Sequence, residues 1–108
     1  IKDMVLEKLL DAFASLLARQ QARGKEKEQP KQIVKDRFTV AEKIVSIRSY
    51  ARIHPRFPFE ELFTSDMTKS EMINVFLALL ELLKLQSVRV EQVGIFRQIN
   101  IISNEVQS

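Results

Sequence analysis

The 108-residue chain lacks cysteine and tryptophan, and it has one histidine, His54, and two glycines. Without cysteine it has no disulfide, no thiolate metal site and no cysteine nucleophile. One histidine cannot build a histidine metal cluster or work in relay with a second one, and two glycines exclude a glycine-rich phosphate loop. Because these absences argue against most classes of enzyme, the composition predicts a binding or assembly module inside the cell.

Long hydrophobic runs are also missing. No apolar stretch reaches the roughly 20 residues that cross a bilayer, and Lys2 and Asp3 stand where a signal peptide would have a basic start and an apolar block. The first residue is Ile1, so we expect the chain to be part of a longer protein. A hydrophobic content of 45% is sufficient for one globular domain with one core.

The net charge of +3 is confined to the first third of the chain. Residues 1–38 contain nine Lys and Arg against six Asp and Glu, whereas residues 39–108 contain eight of each. A nucleic-acid-binding module is expected to concentrate basic residues on its folded face. The distribution therefore favours a solvated basic linker over an arm that binds DNA.

The first 37 residues divide into a helix and a linker. Apolar residues recur at helical spacing over 1–23, without interruption before Gly24. Residues 24–37 are charged and include Pro30, a composition typical of a linker, with a short strand predicted at 32–34. The helix needs a surface against which to bury its apolar side, either in this chain or in another protein.

The middle of the chain has clear helix signals. Thr39 and Glu42 have the spacing of a capping box, in which each side chain accepts a hydrogen bond from the other residue's backbone N–H. Pro55 ends this helix because proline moves the preceding residue out of the α region. An extended piece at 56–58 and a short helix at 59–63 are predicted to follow.

A second capping box, at Thr68 and Glu71, predicts a long helix that runs to about Gln86. Apolar and polar residues then alternate on both sides of Gly94, which predicts a β-hairpin. This element order is typical of a winged helix. We therefore predict a mainly α fold with a small β-hairpin, in which a winged helix-turn-helix domain is preceded by a separate amphipathic helix. The predicted units are the amphipathic helix 1–23, the charged linker 24–37, the winged-helix domain 38–103 and a tail at 104–108.

The predicted long helix is apolar on two sides. Phe76 and Leu79 belong to one side, and Ile73, Leu77 and Leu80 belong to the other. The apolar arc is about 220° wide, roughly twice what packing on one core requires. A helix that reads DNA needs Arg, Lys, Asn or Gln side chains directed at base edges. The second side is therefore predicted to bind a protein; the alternative is that another part of this chain covers it.

The run 76–84 (FLALLELLK), followed by a hairpin with Gln92, Phe96 and Ile99, resembles the C-terminal winged-helix domain of kleisins, in particular the family of bacterial segregation and condensation protein A. The short helix 59–63 (FEELF) is also similar to that family, and the resemblance covers about residues 38–102. Val93, Gly94 and Ile95 stand where the family has an acidic pair and a proline. Contacts made by those acidic residues are therefore not carried over.

The resemblance implies a non-enzymatic subunit without catalytic residues, metal or cofactor. Kleisins bridge the ATPase heads of an SMC dimer in chromosome condensation and segregation, in the cytoplasm and in association with the nucleoid. The C-terminal winged helix docks on one SMC head, and the preceding region binds an accessory winged-helix protein, segregation and condensation protein B. The candidate SMC-binding residues are Ile73, Leu77, Leu80, Lys84, Phe96 and Ile99. The candidate accessory-protein-binding residues are Leu6, Leu9, Leu10, Phe13 and Leu17.

The sequence leaves several alternatives open. If the long helix bound DNA, the domain would be a winged-helix DNA-binding regulator. If the long helix bound a second copy of the chain, the domain would be a self-associating scaffold. Phe96 and Ile99 fit the core of the hairpin as well as they fit an interface. The first helix fits packing on its own domain as well as binding to a partner. Arg48 and Arg52 share a helix face, which we interpret as solvated rather than as a phosphate site.

Overall fold

The computed structural model describes residues 3–24, 39–93 and 98–105. The helices are α1 (Asp3–Gly24), α2 (Val40–Ile53) and α3 (Lys69–Lys84), with a short 3-10 helix at Phe59–Leu62. The strands are β1 (Arg56–Pro58), β2 (Val88–Val93) and β3 (Gln98–Ser103). From α2 onward this order is winged-helix-like, as predicted. The predicted strand 32–34 lies outside the described residues, as does the linker apart from Gly24.

Both predicted helix starts are present. The Thr39 hydroxyl accepts a bond from the Glu42 N–H at 3.1 Å and the Glu42 carboxylate accepts one from the Thr39 N–H at 3.3 Å, which completes the capping box of α2. At α3, the Thr68 hydroxyl accepts from the Glu71 N–H at 3.0 Å. The predicted capping box is therefore formed on the Thr68 side, whereas the Glu71 carboxylate accepts from Lys43 Nζ at 2.9 Å and ties α3 to α2.

The C-terminus of α3 lies two residues before the predicted end. Gln86 has a φ of 64°, in the left-handed region that disfavours residues with a Cβ. Its N–H donates to the Leu83 carbonyl at 3.1 Å, and the Ser87 N–H donates to the Leu82 carbonyl at 3.0 Å. These two bonds form a Schellman motif, which turns the chain from α3 into β2.

The hairpin is confirmed and belongs to a three-stranded antiparallel sheet with the order β1-β3-β2. Val90 of β2 and Phe57 of β1 both lie opposite Ile101 of β3. The extended piece predicted at 56–58 is therefore a strand of the sheet. The Ser103 N–H also donates to the Pro55 carbonyl at 2.8 Å, which fixes the end of β3 beside the start of β1.

One core lies between the sheet and the helices, and α3 is at its centre. Leu79 and Ala78 are completely buried there, and within the described residues the core contains no buried polar side chain. No described helix is long and apolar enough to cross a membrane. The buried residues that α3 contributes are Met72, Val75, Phe76, Ala78, Leu79 and Leu82.

Helix α1 packs on this core, which is one of the two alternatives that the sequence left open. Leu9 is completely buried, and the ring of Phe13 stacks on Phe76 with centroids 4.3 Å apart. Near the other end of α1, the Gln20 amide donates to the Met67 carbonyl. Because an amphipathic helix without a cover exposes its apolar side to water, docking on α3 is the stable arrangement of α1 within this chain.

Candidate protein-docking groove between the second and third helices

Helix α3 is buried on one side only. Leu77 remains 45% exposed and Ile73, one turn earlier, 36% exposed, although Phe76 and Leu79 on the adjacent side are buried. Nothing in the described part of the chain covers the outer side. It is therefore an apolar surface in contact with water, and such surfaces commonly mark protein interfaces.

The outer side of α3 and the start of α2 form an open groove of about 840 Å³. Three of the predicted SMC-binding residues, Leu77, Leu80 and Lys84, line it. Leu80 is half-buried and also packs against the core, so it belongs to both surfaces. The groove residues are Val40, Ala41, Ile44, Leu77, Leu80, Glu81, Lys84 and Leu85.

The wall formed by α2 was not among the predicted site residues. Val40 and Ile44 of α2 are both half-buried, and each also lines the groove. Leu85, just beyond α3, is 61% exposed in the same groove. The signal in the sequence was that α2 has more apolar residues than its buried pair, Ile47 and Ala51. The additional ones stand at the start of the helix.

The arginines that a phosphate site on α2 would need form ion pairs with glutamates. The two oxygens of the Glu105 carboxylate accept from Arg48 Nε at 2.7 Å and from Arg52 Nε at 2.9 Å. The hydrogen bonds from Arg52 and Arg48 hold the pKa of Glu105 below its usual value. Arg56 forms an ion pair with Glu91. The predicted tail thus begins with an ordered contact to α2.

The two predicted residues of the hairpin have different outcomes. Ile99 is half-buried and packs against the core, as one of the two interpretations of the sequence held. Phe96 lies outside the described residues. The hairpin contribution to a docking surface therefore stays a prediction.

The five predicted accessory-protein-binding residues divide between the two sides of α1. Leu9 and Phe13 are in the core, and Leu17 is half-buried against it. Leu6 is half-buried, and Leu10 is 46% exposed. In this arrangement, a partner that approaches α1 from solvent meets Leu10 first, and it reaches Leu9 and Phe13 only if α1 leaves the domain.

The polar residues Tyr50, Glu61 and His54 lie outside the groove. Within the described ranges, no three His, Cys, Asp or Glu side chains are grouped so that they could hold a metal ion. The Tyr50 hydroxyl donates to the Glu61 carboxylate, and this bond is the main cause of the raised pKa of Tyr50. His54 is the exposed C-cap of α2, and its N–H donates to the Tyr50 carbonyl.

Known proteins resemble this chain along most of its length. The family model described as segregation and condensation protein ScpA matches residues 1–103. The chain is 31% identical over 104 residues to segregation and condensation protein A of Brevibacillus brevis, an alignment that covers 96% of this chain and 39% of that protein. It is 29% identical over 107 residues to the protein of the same name from Streptococcus suis, with 99% and 44% covered. The chain spans about two fifths of the length of these curated relatives.

Proposed function

This chain belongs to the family of segregation and condensation protein ScpA, and from that premise we propose that it is a non-enzymatic kleisin subunit of a bacterial SMC condensin-like complex. Family membership supports a role in segregation and condensation. In the proposed complex, the winged-helix part of the chain docks on the SMC ATPase head, which supplies the ATP chemistry. Cytoplasmic association with the nucleoid follows from that assembly.

The observation that carries this proposal is the uncovered outer side of α3. Leu77 and Ile73 are exposed beside a groove whose floor is apolar. A protein surface that buries them gains about 25 cal/mol for each Å² of apolar area removed from water. The interface would contain Ile73, Leu77, Leu80 and Lys84, and the hairpin residues Phe96 and Ile99 would extend it.

DNA binding through α3 is the less favourable alternative. The groove presents Leu77, Leu80 and Leu85 together with Glu81, a carboxylate that repels phosphate. Among the described residues that line the groove, only Lys84 carries a positive charge. A gel-shift assay with duplex DNA at about 150 mM salt distinguishes the two functions, because tight binding to DNA would contradict SMC docking through this surface.

Binding of the accessory protein is proposed for α1. Leu10 is available on the outer side, with Leu6 and Leu17 beside it. Use of Leu9 and Phe13 as further anchors requires that α1 exchange its contact with α3 for one with the partner. The half-buried and exposed leucines support an initial contact without that exchange.

The direct test is co-elution of the chain with an SMC head domain in size-exclusion chromatography. We expect Leu77→Asp to abolish the complex, because a carboxylate would be desolvated in an apolar interface. Leu10→Asp is the matched control, since Leu10 is an equally exposed leucine on α1, and this variant should co-elute as the wild type does. Equal co-elution of both variants would contradict docking through the groove.

Self-association is tested with the same variants. Sedimentation of the chain alone should give a monomer. A stable dimer that Leu77→Asp dissociates would show instead that a second copy of the chain covers the groove.

A further inference from the structure

A cluster of three charged side chains lies where α2 and the end of β3 meet. Arg48 and Arg52, one helical turn apart on α2, each bind one oxygen of the Glu105 carboxylate. Both arginine side chains are about half exposed, whereas that of Glu105 is more shielded. The two guanidinium groups thus hold one carboxylate between them, and the rest of each guanidinium remains open to solvent.

This cluster adjoins the docking groove through both of its walls. On α2, Ile44 lines the groove and Arg48 follows it by four residues, so both lie on one side of the helix. Beyond α3, Leu85 lines the groove and Gln86 follows it. The carbonyl of Gln86 accepts a bond from the side-chain amide of Asn104, the residue before Glu105, at 3.0 Å.

We propose that Arg48 and Arg52 are the carboxylate-binding end of the groove, an inference that rests on the docking function proposed above. The partner segment places apolar side chains on Leu77 and Ile44 and an Asp or Glu side chain on the two guanidinium groups. In the unbound chain, Glu105 occupies that position as an internal substitute. The partner's carboxylate therefore displaces Glu105 when it binds.

Charge complementarity favours a protein carboxylate over a nucleic-acid phosphate. The groove that leads to the arginines is lined mostly by apolar residues. It also includes Glu81, whose negative charge repels anions. Arg56, the next arginine along the chain, forms an ion pair with Glu91, and the Arg89 guanidinium donates to the side-chain oxygen of Asn104. A phosphate backbone needs a row of free cations, whereas a single carboxylate next to apolar anchors needs only the pair Arg48 and Arg52.

The internal carboxylate weakens binding of the partner, because it occupies the site that the partner requires. Glu105→Gln should therefore strengthen binding about threefold, a change typical of one exposed ion pair. Arg48→Gln with Arg52→Gln should weaken binding about tenfold. In the combined triple variant, Glu105→Gln should have no further effect, because the two arginines for which Glu105 and the partner's carboxylate compete are absent.

The experiment is a calorimetric titration of the whole chain with an SMC head domain at about 150 mM salt. Arg19→Gln is the matched control, since Arg19 is an exposed arginine paired with Glu60 on a different face, and it should bind as the wild type does. Binding that is the same in the wild type, in Glu105→Gln and in the double arginine variant would overturn the carboxylate site. The same result would leave SMC docking intact.

If the wild-type chain does not bind the head, the proposed docking function is wrong. The carboxylate site is then tested separately, by measuring binding of a peptide. The probe is a synthetic amphipathic helical peptide with leucines on one side and a glutamate one turn beyond them, compared with its glutamine twin. Tighter binding of the glutamate peptide, lost when Arg48 and Arg52 are both replaced, supports the site. Equal binding of the twins, or no binding, overturns it. Binding of short duplex DNA that increases in Glu105→Gln also overturns it, in favour of a phosphate site.

Discussion

The two sides of α3 contain the same kinds of residue in different surroundings. Leu79 on the inner side is completely buried between the helices and the sheet, whereas Leu77 on the outer side is 45% exposed. Both are leucines within one helix, so helix propensity does not distinguish them. The inner side stabilises the fold, and the outer side is available to a partner. Substitutions on the two sides should therefore affect different measurements.

The largest expected effect is on the inner side. Leu79→Ala removes buried methyl groups and leaves a cavity, so the free energy of unfolding should fall by about 3 kcal/mol. Leu77→Ala should change it by less than about 0.5 kcal/mol, because the side chain is already hydrated. Urea unfolding followed by circular dichroism measures both. Similar losses for the two variants would mean that the outer side belongs to the core.

A smaller effect of the same kind is expected on α1. Phe13→Ala removes the ring that stacks on Phe76, and the free energy of unfolding should fall by about 2 kcal/mol. The loss is smaller than for Leu79→Ala because α1 can separate from the domain instead of leaving a closed cavity. Leu10→Ala on the outer side of α1 is the control and should be nearly neutral. Amide hydrogen exchange in α1 should accelerate in Phe13→Ala only; if it does not, Phe13 does not hold α1 on the domain.

The smallest effect is expected where α3 ends. Gln86→Gly should raise the free energy of unfolding by about 1 kcal/mol, because glycine adopts a φ of 64° without the steric cost of a Cβ. The exposed Gln86 side chain makes no contribution to either side of α3, so binding to a partner should not change. Thermal unfolding measures the gain. A loss of stability would indicate that the left-handed turn is not the native end of the helix.

Local features of this fold could be predicted from the sequence. The capping box at Thr39 and Glu42 and the hairpin predicted from the alternation around Gly94 depend on neighbouring residues, and the structure contains both the box and the paired strands β2 and β3. The excess apolar width of α3 also depends on one helix alone, and it indicated the exposed position of Leu77. Patterns that involve only residues close together in the sequence can be recognised without knowledge of the tertiary structure.

Features made by distant segments could not be predicted. The pairing of β1 with β3 joins residues more than 40 positions apart, and the groove has a second wall because α2 crosses α3. The contact of Glu105 with Arg48 and Arg52 depends on where β3 ends. For α1, the sequence showed an apolar side but not which surface covers it, since any apolar surface lowers the free energy of such a helix.

Methyl NMR of the chain, titrated with an SMC head domain, tests most directly whether the outer side of α3 is the docking surface. The methyl signals of Leu77, Leu85 and Ile44 should shift or broaden strongly, and those of Leu79 and Leu9 should change little. The opposite pattern, with changes confined to α1 or no changes at all, would contradict docking through the groove.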